Sequence, residues 1–259
     1  MSVIRTDEWL DKDFDRPEKM CRKIKQGSQD PEDFYRYLQT FGMYRSSVRA
    51  KQIFLELKKA KAWDKISAYE KHYRKLWKGP EIDIYIFPIR PGKGLRFRPA
   101  REKSGLTLEN AVFLFLAPVP DMKEWEALFV HEYHHAARMA KLKKPLSEYT
   151  LLDSIVFEGL AEHAVQEYCG AEYVSETSRL YTEQQKMRAW RRFFSENREM
   201  KKSERMHDQL LFGRKFVPNM MGYALGFFLI SQFKKDHDFS TLKYLSHPSD
   251  TFLTKRFIL

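Results

Sequence analysis

Residues 121–143 constrain this chain more than any other stretch, because they read as one amphipathic helix carrying two histidines on a single face. Pro118 and Pro120 close the segment before it, and Asp121 and Glu124 stand in the D-x-x-E spacing that satisfies free N–H groups at a helix start. Trp125, Leu128, Phe129, Ala136 and Met139 then recur at helical spacing. Lys141, Lys143 and Lys144 suit the negative end of the helix, and Pro145 ends it. Inside that frame lies His131-Glu132-Tyr133-His134-His135, an H-E-x-x-H sequence. Side chains four apart share a helix face, so His131 and His135 can hold one metal ion while Glu132 is aimed at a water beside it. The pattern points to a hydrolytic zinc site with Glu132 as general base. His134 is expected at the edge of the pocket.

A catalytic zinc takes three protein groups and leaves a fourth position open, so another ligand must come from elsewhere. The metzincin extension is excluded, since Ala136-Ala137-Arg138-Met139-Ala140-Lys141 has neither the glycine nor the histidine it needs. The best donor lies in the stretch from Asp153 to His163. There Glu158 and Glu162 are one helical turn apart, with Ala161 and Val165 on their face. A carboxylate on a buried face is costly unless it is paired or bound to metal. Glu158 is therefore expected as the third ligand, and Glu162 as the acceptor that orients a ligand histidine through its other ring N–H. Two readings compete: His163, off the Glu158/Glu162 face, would give a three-histidine site, and the two glutamates would suit a solvated helix face.

H-E-Y-H-H followed about two dozen residues later by F-E-G-L-A-E-H resembles the gluzincin arrangement, in which a Glu on a second helix completes the zinc site and an acidic residue four further on buttresses a histidine. More narrowly, the chain is similar to the YjaZ-like predicted zinc-dependent proteases of bacilli, in motif order over roughly residues 80–259. The resemblance implies a zincin-like core and peptide hydrolysis. It also implies a role for Tyr223, because Met221-Gly222-Tyr223-Ala224-Leu225-Gly226-Phe227 resembles a late helix that brings a hydroxyl or imidazole towards the cleaved carbonyl. A core tyrosine is the competing reading. In similar peptidases the strand just before the zinc helix offers its edge to an extended substrate, so residues 111–117 are expected to do so here.

The remaining sequence bounds these expectations. The chain has 259 residues, enough for a substantial core, and no internal repeat. Its longest apolar run, near Met220 to Ile230, is too short to span a bilayer. The N-terminal residues lack the apolar core of a secretory signal, and Cys21 and Cys169 do not suggest a disulfide framework, so a cytoplasmic location is expected. Neither cysteine has a C-x-x-C partner. Residues 17–78, broken at Gly27-Ser28, Pro31 and Phe41-Gly42, read as four helices. Lys78-Gly79-Pro80 is the expected boundary between an N-terminal helical region, residues 1–80, and a metallopeptidase domain, residues 81–259. Residues 81–87 and 111–117 read as strands, and the connection holding Gly92, Gly94, Arg96, Arg98, Arg101 and Gly105 offers room for another. The expected class is α+β, mainly helical, with a small sheet packed on the H-E-x-x-H helix.

Segment 176–216 interleaves Arg188, Arg191, Arg192, Arg198, Lys201, Lys202 and Arg205 with Trp190, Phe193 and Phe194, in a chain of formal net charge +11. The favoured reading is a solvated helix packed through its aromatics. The alternative is a binding surface for nucleic acid or a protein partner, with a structural or relict zinc site. The expected activity is that of a zinc-dependent peptidase with Zn2+ as cofactor and a peptide or protein as substrate. No membrane span is expected, and nucleic acid is disfavoured.

Overall fold

The computed structural model describes residues 2–24, 30–92 and 103–258. They form two compact units, Met1–Ala136 and Ala137–Leu259, whose boundary falls inside a helix. The break at Gly27-Ser28 and the residues Gly94, Arg96, Arg98 and Arg101 lie outside the described residues.

The first unit begins with α1 (Thr6–Asp13), α2 (Pro17–Cys21), α3 (Pro31–Phe41), α4 (Val48–Lys59) and α5 (Ala62–Trp77). The last four are the helices expected between residues 17 and 78, and α1 is an addition. Their starts have local causes. Asp30 accepts the N–H groups of Glu32 and Asp33 ahead of Pro31, and Ser47 accepts that of Ala50. After α5 come β1 (Asp83–Pro88), β2 (Lys103–Leu108) and β3 (Ala111–Leu116), and then α6 (Lys123–Leu142), which carries the chain out of this unit. Asp121 starts α6 as expected, its side chain accepting the Lys123 N–H at 2.9 Å.

The strand order is β1-β3-β2, with β1 parallel and β2 antiparallel to β3. This corrects the expectation that residues 111–117 present an edge. Every residue of β3 is buried, and both its neighbours are strands, so its backbone groups are already used. The physical sign was present in Ala111-Val112-Phe113-Leu114-Phe115-Leu116: an unbroken apolar run suits a strand covered on both faces, not a rim. The far side of β1 is taken too, since Ile84 exchanges backbone hydrogen bonds with Ser2 and Ile4. Among the described residues no strand pairs with the far side of β2, which is half-exposed along its whole length.

The second unit holds the end of α6, then α7 (Leu151–Tyr168), α8 (Glu183–Ala189) passing into a π-turn at Trp190–Phe194, α9 (Arg205–Leu211), α10 (Met221–Lys235), α11 (Thr241–Tyr244) and α12 (Lys255–Ile258). Thr150 and Asp153 form a reciprocal capping box that starts α7. Its core gathers Ile155, Leu160, Trp190, Phe194, Leu225 and Phe228. The aromatics of the basic segment thus face inward, while Arg188, Arg191 and Arg192 are exposed. Arg138, on α6, is fully buried. Burial pulls its pKa down to about 10, so the guanidinium stays charged at neutral pH; it donates to the carbonyls of Leu245 and His247 and lies 5.1 Å over the Phe157 ring. Among the described residues no helix is long and apolar enough to cross a membrane.

His163 is built into this core. Its Nε2 lies 3.2 Å from the Phe227 carbonyl and 3.1 Å from Ser231 Oγ, and its ring stacks on Phe227 at 4.4 Å. Burial lowers its pKa from 6.5 to about 4. Below about pH 6.5 the unfolded chain takes up a proton here that the folded chain refuses until about pH 4, so stability is fully present above that window and lost as pH falls through it. The expected loss is about 2–3 kcal/mol. Urea unfolding at pH 7 and pH 4.5 should show a larger acid loss for wild type than for His163→Gln; equal losses would mean that the folded protein accepts the proton freely.

Candidate metal centre

In the first unit α6 sets His131 and His135 one turn apart, and both side chains are half-buried. Their rings are nearly perpendicular, with centroids 4.7 Å apart, and the two Nε2 atoms lie 3.1 Å from each other. Two imidazole nitrogens on a tetrahedral zinc, with bonds of about 2.0–2.1 Å, are separated by about 3.3 Å. The pair therefore already has the spacing that a single ion requires, and neutral imidazole is a preferred zinc donor.

Glu132 points elsewhere on the helix, towards β2, and is only 6% exposed. Thr107 Oγ1 lies 2.6 Å from Glu132 Oε2 and 2.9 Å from the Glu132 carbonyl oxygen. Gly105, two residues earlier on the same strand face, makes room for the carboxylate: a Cβ there would stand 2.4 Å from both Cγ and Oε1 of Glu132. Neither Thr107 nor Gly105 was legible as a site residue. The one hint was a glycine inside a strand pattern, which marks the close approach of another group.

His134 corrects a second expectation. It is not at a pocket edge but 1% exposed, with its ring edge-on to Trp77 of α5 at 5.4 Å. It continues an aromatic seam in which Tyr133 stacks on Trp77 and on Phe129. Helical spacing told which face His134 occupies, but not that Trp77 covers it.

In the second unit Glu158 and Glu162 stand one turn apart on α7, the first half-buried and the second buried. Glu162 Oε2 accepts the Ser175 N–H at 2.8 Å. His163, the competing donor, is engaged with Phe227 and Ser231 as described above. Tyr223, in the first turn of α10, is half-buried with its ring 5.9 Å from Phe212, against the core of this unit. The α7 and α10 backbones meet at two glycines. A Cβ at Gly159 would lie 2.2 Å from the Gly226 carbonyl oxygen, and one at Gly226 would lie 2.2 Å from that of Ile155. This approach fixes the part of α7 that carries Glu158 against the part of α10 that follows Tyr223.

The model of a family described as "Predicted Zn-dependent protease (DUF2268)" matches residues 62–254. "Uncharacterized protein YjaZ" of Bacillus subtilis (strain 168) is 35% identical over 218 residues, covering 84% of this chain and 83% of that relative. No solved structure matches.

Proposed function

The chain belongs to the DUF2268 family of predicted Zn-dependent proteases, and from that premise we propose that it is a gluzincin-type metallopeptidase in which His131, His135 and Glu158 hold the zinc. One observation carries the reading: the Nε2 atoms of His131 and His135 lie 3.1 Å apart on one face of α6, close to the spacing that a single zinc ion requires. Two imidazoles and one carboxylate make the donor set of a hydrolytic site, with room for a further ligand.

Zinc, when bound, would supply Lewis acidity towards the scissile carbonyl and the attacking water. Glu132 takes the water proton and later passes it to the leaving amine, so one carboxylate serves as base and then acid. Glu162 orients a ligand histidine, and the Tyr223 hydroxyl donates to the oxyanion as it forms. An extended substrate adds to the far side of β2, whose strand also carries the contacts to Glu132. The alternative of a nucleic-acid surface on segment 176–216 finds less support, because Trp190 and Phe194 are buried and present no face on which a base would stack.

Metal analysis tests the ligand set. Purified protein is expected to carry about one zinc per chain, the stoichiometry of a single three-ligand site. His131→Ala should remove it, Glu158→Ala should weaken it strongly, and His163→Ala should leave it bound. Full zinc in His131→Ala would overturn the assignment, and loss in His163→Ala but not in Glu158→Ala would replace the third ligand.

A further inference from the structure

We infer that Thr107 is a positioning residue for Glu132, its hydroxyl holding the carboxylate in one orientation; the inference rests on the proposed role of Glu132 as proton acceptor. A glutamate has three rotatable side-chain bonds, so a base at the end of one spends much of its time misdirected unless something holds it. Here the carboxylate is bounded on both sides by a single strand. Gly105 leaves it space at Oε1, and the Thr107 hydroxyl meets it at Oε2, 2.6 Å away. Lys103, on the same face of β2, donates to the Glu124 carbonyl at 2.9 Å, so this stretch of strand is itself anchored to α6.

Thr107 has one proton and two acceptors within reach, Oε2 at 2.6 Å and the Glu132 carbonyl oxygen at 2.9 Å. The shorter contact is the one to the carboxylate, and it holds Oε2 in one place, while the contact to the carbonyl ties the same hydroxyl to the backbone of α6. Because no strand among the described residues pairs with the far side of β2, a substrate docking there would lie along the same backbone that carries Thr107. Docking and alignment of the base are thereby joined in one element.

The experiment compares wild type, Thr107→Val, Thr107→Ser and Glu132→Gln. Valine keeps the shape and removes the donor, and serine keeps the donor. The readouts are steady-state cleavage of the best substrate from a mixed peptide library, zinc content, and crystal structures of the zinc-free proteins. Thr107→Val should lower kcat about ten- to a hundredfold, the worth of one hydrogen bond to a charged group, with KM and zinc content little changed. Thr107→Ser should recover to within about threefold. In the crystals Glu132 should hold one rotamer in wild type and Thr107→Ser and spread over several in Thr107→Val. That last readout needs no turnover, so it decides the inference even if no peptide is cleaved. One unchanged Glu132 rotamer in Thr107→Val would overturn it, as would wild-type kcat in that variant beside an inactive Glu132→Gln. Serine as poor as valine, with both proteins less stable, would reduce Thr107 to packing. Full turnover in Glu132→Gln would instead sink the proposed reaction.

Discussion

Glu132→Gln should lose nearly all peptide cleavage, on the order of a hundredfold or more, while keeping its fold and its zinc. The amide has nearly the shape of the carboxylate and can still accept the Thr107 hydroxyl, so the hydrogen bond now seen at 2.6 Å need not be abandoned. What the amide cannot do is take the proton of the attacking water. The new side chain would also donate through its NH2 group, so it could rotate to keep its oxygen towards Thr107. The measurement is cleavage of a mixed peptide library read by mass spectrometry, with and without chelator, on protein whose zinc content has been determined. Cleavage that survives in Glu132→Gln yet disappears with chelator would mean that a different group is the base. Cleavage that survives both would come from a contaminating protease. Zinc retention makes the loss interpretable, because a variant that had also lost the metal would report on binding rather than on proton transfer.

The local features of this site were legible because they are periodic. Two histidines four apart, the capping Asp121 and the terminating Pro145 belong to one helix, and a repeat of 3.6 residues is visible without knowing what the helix touches. The same holds for Glu158 and Glu162 on α7, and for the strand character of residues 83–88 and 111–116. What failed was non-local. Strand order is set by pairing between segments, and nothing in Ala111–Leu116 alone says that Lys103–Leu108 lies on one side and Asp83–Pro88 on the other. β2 is also a poor strand by composition, with a lysine, a serine and a glycine in six residues, so the open strand was the least visible of the three. Thr107 lies 25 residues from Glu132, and no period links them. His134 shows the same limit, since its place depends on Trp77 of another helix. Sequence spacing thus placed the candidate residues on their helices, but not the neighbours that hold them.

Gly159→Ala and Gly226→Ala should each destabilise the protein by about 3 kcal/mol or more, lowering Tm by roughly 10 °C, and this prediction runs against helix propensity. In the interior of an ordinary helix, replacing glycine by alanine helps by roughly 1 kcal/mol, because the unfolded chain loses freedom and the helix gains a better former. At these two positions the added methyl has nowhere to go. The atoms it would meet, 2.2 Å away, are the backbone carbonyl oxygens of Gly226 and Ile155, and a backbone cannot rotate aside as a flexible side chain can. The helices α7 and α10 would have to part by about an ångström, opening the layer formed by Ile155, Leu160, Leu225, Phe228 and Ile230, all buried. A cost therefore appears twice, as strain at the contact and as packing lost around it. Gln166→Ala, on the same helix but only half-buried, is the control and should change Tm little. Thermal unfolding of the metal-free proteins is the measurement. A rise in Tm for either glycine variant would mean that the helices yield without cost and that the glycines are not what brings them together. A fall accompanied by weaker zinc binding in Gly159→Ala is the outcome expected if the packing of α7 on α10 is also what keeps Glu158 at its post.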